Sequence, residues 1–244
     1  MSNTNNNARF AIEAKGLRKS FASNLVLNEL DMSVDWGSLT VIFGSNGSGK
    51  STLVNNLATI STPTSGEIYV AGFDVKKEKA LIRKNIGVVT HELLLYSDLT
   101  AYENLFFYGK MFNLPDIEHK IELAADITGT GHYLRKKIRH MSHGMQKRIS
   151  IARAILHDPP ILFLDEPESG LDQEALEGFY EMIRSGQRGK RTILMTTHNI
   201  DRGLQMGDRV TVLSKGKIAY DKKRVDIDRE VFERDYTSLR QDQL

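Results

Sequence analysis

Residues 44–51 read GSNGSGKS, which fits the pattern G-x-x-x-x-G-K-[ST] of a phosphate-binding loop. The loop follows the apolar stretch SLTVIFG at residues 38–44, which predicts a strand buried on both faces, and it precedes a predicted helix that opens near Lys50. Glycines let backbone N–H groups close around a β-phosphate at the helix N-terminus, where Lys50 adds a cation and Ser51 offers a hydroxyl to Mg²⁺. The expected phosphate-binding residues are Gly44, Ser45, Asn46, Gly47, Ser48, Gly49, Lys50, Ser51 and Thr52.

A second motif, which is acidic, lies at the end of a later apolar run, ILFLD at residues 161–165. It places Asp165 and Glu166 at the carboxyl end of a predicted buried strand, where open α/β sheets bind ligands. We expect Asp165 to hold Mg²⁺ through its water and Glu166 to polarise a water that attacks a γ-phosphate. Capping of a following helix is the other interpretation of this pair, and the phosphate loop favours the first.

The pattern along the rest of the chain predicts an α/β fold: a phosphate-loop NTPase core with a mostly parallel sheet, an antiparallel edge layer and an inserted helical subdomain. Period-two alternation from Phe10 to Val34 predicts the edge layer. Apolar residues at helical spacing, Leu123 among them, with no clear strand predict the helical insert in the middle. Helices are predicted at residues 76–85 and 173–184, and a hairpin turns at residues 215–216. The expected division is a tail at 1–8, a core at 9–89 and 151–222, a helical subdomain at 90–150 and a C-terminal segment at 223–244.

Composition restricts the function classes. The 244 residues carry a formal net charge of +2, which gives no electrostatic argument for nucleic-acid binding, and none is expected. Cysteine is absent, which removes disulfides, thiolate metal sites and cysteine nucleophiles. No apolar run approaches the roughly 18 residues that cross a bilayer, and the Asn-rich start lacks the features of a secretory signal. We therefore expect a cytoplasmic protein.

Three further motifs narrow the class. The segment MSHGMQKRISIARAI at residues 141–155 lies upstream of ILFLDEP, which is followed by SGLD at 169–172 and TTH at 196–198. In this order and spacing they resemble the signature, D-loop and H-loop of the ATP-binding-cassette (ABC) ATPases, and the resemblance covers residues 10 to about 222. It implies ATP and Mg²⁺ as the bound groups and hydrolysis of ATP.

The resemblance also implies roles for single residues. Ser142 and Gly144 would grip the γ-phosphate held by the phosphate loop of a second copy, so that two chains sandwich ATP as a dimer. Asp172 would tie the two halves together. His198 would contact the γ-phosphate and help to hold the attacking water. Apart from the resemblance, Phe21 lies 23 residues before the phosphate loop in the predicted edge layer. Its ring is expected to stack on the nucleotide base, and simple packing is the other interpretation.

The sequence departs from the family pattern in two places. The signature carries Met141, His143 and Met145 where Leu, Gly and Gln are commonest. The Mg²⁺-binding glutamine expected after the strand at residues 86–89 is replaced by the run Thr-His-Glu at 90–92, so His91 or Glu92 takes its place. Glu92 is favoured because a carboxylate is a better ligand than an imidazole for a hard cation.

These features predict an ATPase subunit attached peripherally to the inner membrane through a separate transmembrane permease. The aromatic-rich run from residue 93 supplies Tyr96 and Tyr102 for docking, whereas Leu105, Phe106 and Phe112 are expected in the core. The His-Glu joint at residues 91–92, the run LTAYENL at 99–105 and the short signature resemble the ATP-binding subunits of heme exporters of cytochrome c maturation, or of related drug and polysaccharide exporters. A soluble ABC ATPase of iron–sulfur assembly is the alternative. A module that binds ATP without turnover is disfavoured by Glu166 and His198.

Overall fold

A computed structural model describes residues 8–171, 173–185 and 191–241. In this part of the chain, ten strands form two sheets and eight α-helices surround them. The strands are β1 (Ile12–Phe21), β2 (Asn24–Val34), β3 (Leu39–Phe43), β4 (Ser65–Val70), β5 (Phe73–Asp74), β6 (Ile86–Val89), β7 (Ile161–Asp165), β8 (Thr192–Thr196), β9 (Arg209–Ser214) and β10 (Lys217–Lys223). The helices are α1 (Lys50–Leu57), α2 (Lys79–Asn85), α3 (Ala101–Met111), α4 (Ile117–Thr128), α5 (His143–Ile155), α6 (Gln173–Ser185), α7 (Ile200–Met206) and α8 (Arg229–Gln241). Among the described residues, no helix combines the length and apolar character needed to cross a bilayer.

The larger sheet has the strand order β10-β9-β3-β8-β7-β6, and its strands are parallel except β10. Strand β3 lies between β9 and β8, and β7 lies between β8 and β6. Both are fully buried, as their continuous apolar runs predict. Because parallel strands point the same way, the segments that follow β3, β7 and β8 meet at one edge of the sheet.

Alternate residues of β3 enter two different cores, as the period of two along a strand requires. Val41 and Phe43 join the core that includes α5, α6 and α8, whereas Ile42 joins the core under α1 and the smaller sheet. The smaller sheet, with the order β2-β1-β4-β5, is antiparallel throughout. The predicted fold class, with its parallel sheet, antiparallel layer and helical insert, is confirmed.

The helical insert consists of α3, α4, two short 3-10 turns and the start of α5. Helix α3 begins with a capping box, in which the Thr100 hydroxyl accepts from the Glu103 N–H and the Glu103 carboxylate accepts from the Thr100 N–H. Helix α5 runs on to Ile155 and so crosses residue 150, where the sequence analysis divides the subdomain from the core. That division stays a prediction.

The structure corrects three details of the prediction. Helix α2 begins at Lys79 and not at residue 76, because the Asp74 carboxylate accepts from the Lys76 N–H and holds the intervening residues in a turn. Leu123 has the helical spacing of the insert core but is 48% exposed. Tyr102 is half-buried and stacks on Phe106, so it is less accessible for docking than expected.

Candidate nucleotide-hydrolysis site

The phosphate loop connects β3 to α1 and has a backbone that only glycine accommodates at key points. Gly47 and Gly49 have φ values of 80° and 108°, in the left-handed region. At Gly44, a Cβ atom would lie 2.5 Å from the Ser48 Oγ and 2.6 Å from the Leu213 carbonyl oxygen, so a side chain has no room. These glycines therefore allow the tight path of the loop between β3 and α1.

Lys50 is the first residue of α1 and is only 5% exposed. Its Nζ donates to the carbonyl oxygens of Gly44 and Ser45, at 2.8 and 3.1 Å. The same atom lies 3.5 Å from Oε1 of Glu166. The phosphate loop and the acidic strand end are thus joined by a buried cation, which is the charge that a polyphosphate requires.

Asp165 and Glu166 are held by Thr196 at the end of the neighbouring strand β8. The Thr196 hydroxyl donates to Oδ1 of Asp165 at 2.6 Å and accepts from the Glu166 N–H at 3.0 Å. Glu166 has φ of 44°, a left-handed conformation that costs a non-glycine residue on the order of 1–3 kcal/mol. The described residues between Glu166 and α6 form turns and no helix, so capping of a following helix does not explain the pair.

His198 approaches Glu166 from the segment after β8. Its Nδ1 lies 4.0 Å from Oε2 of Glu166, and its side chain is 65% exposed. The two predicted catalytic side chains therefore lie next to each other, and Lys50 contacts the other oxygen of the same carboxylate.

The signature residues begin α5. The Ser142 hydroxyl caps this helix by accepting from the Met145 N–H at 3.3 Å, and Ser142 is exposed. Gly144 lies beside the loop after β7. A Cβ atom built on Gly144 would be 3.0 Å from the Gly170 carbonyl oxygen. His143 packs its ring against Gly170 from the same helix start. Asp172, the expected D-loop residue, lies outside the described residues.

The remaining predicted ligands are exposed. His91 and Glu92 follow β6 in a turn where the Thr90 hydroxyl donates to the Glu92 carbonyl oxygen at 2.6 Å. Among the described residues, no group of three or more His, Asp or Glu side chains converges to hold a metal, so neither residue joins Asp165 in such a group. Phe21 is 52% exposed, and the Lys19 ammonium lies 4.7 Å from the centre of its ring.

Three polar residues of α5, none of them predicted as part of the site, contact the backbone around residues 88–93. Lys147, Ser150 and Arg153 donate to the carbonyl oxygens of Thr90, Leu93 and Val88, at 3.2, 3.0 and 2.6 Å. Burial lowers the pKa of Lys147, although the carboxylates of Asp165, Glu168 and Glu166 oppose the shift. Lys147, Ser150 and Arg153 are spaced three residues apart, which puts them on one face of the helix. This spacing was the signal available in the sequence.

The donor set fits Mg-ATP. The Gly44 backbone leaves no space for a side chain, the buried Ser48 Oγ has no hydrogen-bond partner among the described residues, and the Lys50 ammonium lies beside them. Asp165 adds a buried carboxylate and Ser51 an exposed hydroxyl, and such oxygen ligands suit Mg²⁺ when phosphate oxygens complete its coordination. The site can therefore bind a nucleoside triphosphate and activate water next to it.

Comparison with known proteins places the chain in a family. The model of the ABC transporter family matches residues 27–169, and the chain belongs to this family. It is an ABC-type ATPase.

Relatives and solved structures of this family cover most of the chain. The ABC transporter ATP-binding protein NatA of Bacillus subtilis is 33% identical over 80% of the chain and 80% of its own length. Nod factor export ATP-binding protein I of Rhizobium johnstonii is 33% identical over 85% of the chain and 67% of its own length. By contrast, the chain spans only 12% of the rat ATP-binding cassette sub-family A member 17, to which it is 31% identical. The dimeric bacterial ABC transporter cassette MJ0796 superimposes with a TM-score of 0.80 at 26% identity, over 87% of this chain and 98% of that one.

Proposed function

We propose that the chain is the ATP-hydrolysing subunit of an exporter, that two copies sandwich ATP, and that a separate transmembrane permease carries the cargo. The observation that carries this proposal is the convergence of Lys50 and His198 on the two carboxylate oxygens of Glu166, at 3.5 and 4.0 Å. This cluster lies at the mouth of the phosphate loop.

Each residue has a role that its position explains. The Lys50 ammonium moves from the carbonyls of Gly44 and Ser45 to the β- and γ-phosphates, where it neutralises charge. Glu166 accepts a proton from the attacking water, and His198 donates a hydrogen bond to a γ-phosphate oxygen. When bound, Mg²⁺ would neutralise negative charge on the phosphates, and Ser51 and Asp165 are the residues that would hold it. Glu92, or else His91, would add a ligand from the segment after β6.

The dimer follows from the placement of the signature. The exposed start of α5 offers the Ser142 hydroxyl and free backbone N–H groups to an anion, which a second copy would present on its phosphate loop. Asp172 would lie at the contact between the copies. One solved relative, MJ0796, was captured as a dimer in a post-hydrolysis state with ADP and Pi bound. Its identity to this chain is 25%, with a TM-score of 0.79 over 87% of this chain and 98% of that one.

The permease would dock beside the segment after β6. Tyr96 is 51% exposed and packs edge-on against Phe107, which is 42% exposed, at a ring-centre distance of 5.2 Å. Leu94 and Met111 extend this apolar surface, at 39% and 55% exposure. Because Leu94 follows Glu92 by two residues, a helix of the permease placed on this surface would lie near the segment proposed to bind Mg²⁺. In the cell the chain would accordingly lie in the cytoplasm, held at the inner membrane by this contact.

Export is supported by the names of several relatives. Besides the Nod factor exporter, linearmycin and daunorubicin resistance ATP-binding proteins match 85% of the chain at 31% and 33% identity. The chain spans 67% and 66% of their lengths. The heme-exporter subtype remains a prediction that rests on LTAYENL and the short signature.

The test is purification of the native protein from membranes in a mild detergent. We expect a multi-spanning membrane protein to co-purify with the chain, and its identity would name the cargo class. A Tyr96→Asp/Phe107→Asp variant should lose that partner while it still binds ATP. Recovery of the chain from the cytosol with a soluble assembly partner would contradict the transport role and support the iron–sulfur alternative.

A further inference from the structure

Glu168 is a carboxylic acid that the proposed mechanism does not use. It lies two residues after Glu166, in the turn that follows β7, and its side chain is largely buried. Oε1 accepts a hydrogen bond from the Thr197 hydroxyl, and Oε2 is buried with no hydrogen-bond partner in the described part of the chain. A buried carboxyl group is costly unless its contacts repay the desolvation, so this position calls for an explanation.

The partner of Glu168 precedes the catalytic histidine. Thr197 is fully buried, and its N–H donates to the Ile42 carbonyl oxygen at 3.2 Å. Its hydroxyl donates to Glu168 and also accepts from the Asn199 N–H at 3.0 Å. Asn199 then caps α7 by accepting from the Arg202 N–H at 3.0 Å. One hydroxyl group thus fixes the backbone on both sides of His198.

This arrangement leaves the His198 ring free while its backbone is fixed. The His198 side chain is 65% exposed, and its Nδ1 lies 4.0 Å from Oε2 of Glu166. Because so much of the ring faces solvent, its orientation depends strongly on the main chain at residues 197–199. The main chain in turn depends on the acceptor that holds the Thr197 hydroxyl.

We propose that Glu168 is a positioning residue, which orients His198 towards Glu166 and the γ-phosphate through its hydrogen bond with Thr197. The proposal rests on the proposed function, since it acts through His198. The hydrogen bond between Glu168 and Thr197 connects the loop after β7 to the loop after β8. It would thereby fix the position of Glu166 relative to His198.

The surroundings of Glu168 favour a strong hydrogen bond. Burial raises the pKa of Glu168, and the Glu166 carboxylate adds to the rise, whereas the Thr197 hydrogen bond and His198 oppose it. Lys147 of α5 and Tyr180 of α6 interact electrostatically with the same carboxyl group, and the Arg202 guanidinium lies 5.3 Å from the Tyr180 ring centre. Burial away from water strengthens a hydrogen bond that is already made.

The test is a set of variants assayed by single-turnover ATP hydrolysis with excess protein, together with calorimetric ATP affinity. Glu168→Leu and Thr197→Val remove the hydrogen bond, whereas Glu168→Gln and Thr197→Ser keep an acceptor and a hydroxyl. We expect the first pair to slow hydrolysis about tenfold with ATP affinity within about twofold of wild type, and the second pair to retain most of the rate. Because both the acceptor Glu168 and the donor Thr197 are varied, the test does not depend on one variant that fails to fold. A melting curve identifies such a variant.

The decisive comparison repeats Glu168→Leu and Thr197→Val in a His198→Ala background. If Glu168 acts through His198, these changes add less than about twofold there. An equal tenfold loss in both backgrounds, or a Glu168→Gln variant as slow as Glu168→Leu, would overturn the inference. Glu166→Gln in the same assay separates failure of this inference from failure of the proposed function. If Glu166→Gln hydrolyses ATP at the wild-type rate, the proposed function itself fails.

Discussion

The Nζ of Lys50 lies 3.5 Å from Oε1 of Glu166, which joins the first residue of α1 to the residue that follows β7. These two residues are 116 positions apart in the sequence, and adjacent loops of the parallel sheet bring them together. The ion pair holds a buried ammonium beside the group proposed to activate water. It also means that a bound γ-phosphate must compete with Glu166 for Lys50.

Lys50→Ala tests the phosphate loop. Removal of the ammonium should weaken ATP binding at least tenfold and slow hydrolysis by about 10²-fold or more, because Lys50 supplies the buried positive charge at the phosphate loop. Calorimetry and a phosphate-release assay measure the two effects. Lys84→Ala, an exposed lysine on α2, is the matched control and should behave as wild type. Unchanged ATP affinity in Lys50→Ala would remove this loop from nucleotide binding.

The segment after β6 gives a prediction about Mg²⁺. Glu92→Gln should keep substantial ATPase activity but change its Mg²⁺ dependence, because a carboxylate binds the cation well yet adds negative charge near the triphosphate. His91→Gln should change little. A titration of Mg²⁺ at fixed ATP compares the two variants. If only His91→Gln shifts the titration, the ligand in this segment is His91.

His157 makes the stability of the fold depend on pH. It stacks on Phe112 at a ring-centre distance of 4.0 Å and binds the Ile86 carbonyl oxygen through Nε2, and burial lowers its pKa to about 4. The unfolded chain takes up a proton on this residue below about pH 6.5, and the folded chain does so only near pH 4. The free energy of unfolding is therefore unaffected by His157 above pH 6.5 and falls as the pH drops from 6.5 to 4. At pH 5 the loss is about 2 kcal/mol.

Urea unfolding at pH 7 and pH 5 checks this dependence. His157→Gln keeps an N–H donor and cannot titrate, so the difference between the two pH values should shrink by about 2 kcal/mol. His119→Gln on α4 serves as the control, because the His119 side chain is 69% exposed. An equal pH dependence in wild type and His157→Gln would show that His157 titrates normally in the folded chain.

The C-terminal helix stabilises the strand that leads into the phosphate loop. Phe232 of α8 is 1% exposed, and its ring centre lies 5.6 Å from that of Phe43, the last residue of β3. The Phe232 ring also stacks on Tyr236. Phe232→Ala should lower the free energy of unfolding by about 3–5 kcal/mol because it leaves a cavity in this aromatic cluster. Val231→Ala on the same helix is the control, since Val231 is 44% exposed. Chemical denaturation measures the free energy of unfolding of both variants. An equally small decrease in the two would place α8 outside the core.

Much of the fold could be predicted because the signals are local. The strand β3, the loop at residues 44–51 and helix α1 follow one another without a break, and each is indicated by its own residue types. The hairpin of β9 and β10 turns at Lys215 and Gly216, as predicted. The predicted start of α2 was wrong because a single hydrogen bond, from the Lys76 N–H to the Asp74 carboxylate, decides where the helix begins.

The site could be predicted only in part, because several contacts join distant positions. Lys50, Asp165, Glu166 and His198 belong to motifs, and their convergence follows from the order of the strands. Glu168 belongs to none of these motifs, and the spacing of Lys147 on α5 does not say which backbone atom it contacts. Their hydrogen-bond partners, Thr197 and Thr90, lie 29 and 57 residues away, and only the folded chain brings them together.

The most direct test of the central claim is the oligomeric state of Glu166→Gln with and without Mg-ATP, measured by light scattering. If Glu166 activates the attacking water and two copies sandwich ATP, this variant binds ATP, does not hydrolyse it, and accumulates as a dimer of twice the 27.5 kDa chain mass. Wild type should return to the monomer as ATP is consumed. A Glu166→Gln variant that hydrolyses ATP at the wild-type rate and stays monomeric with Mg-ATP would contradict the account.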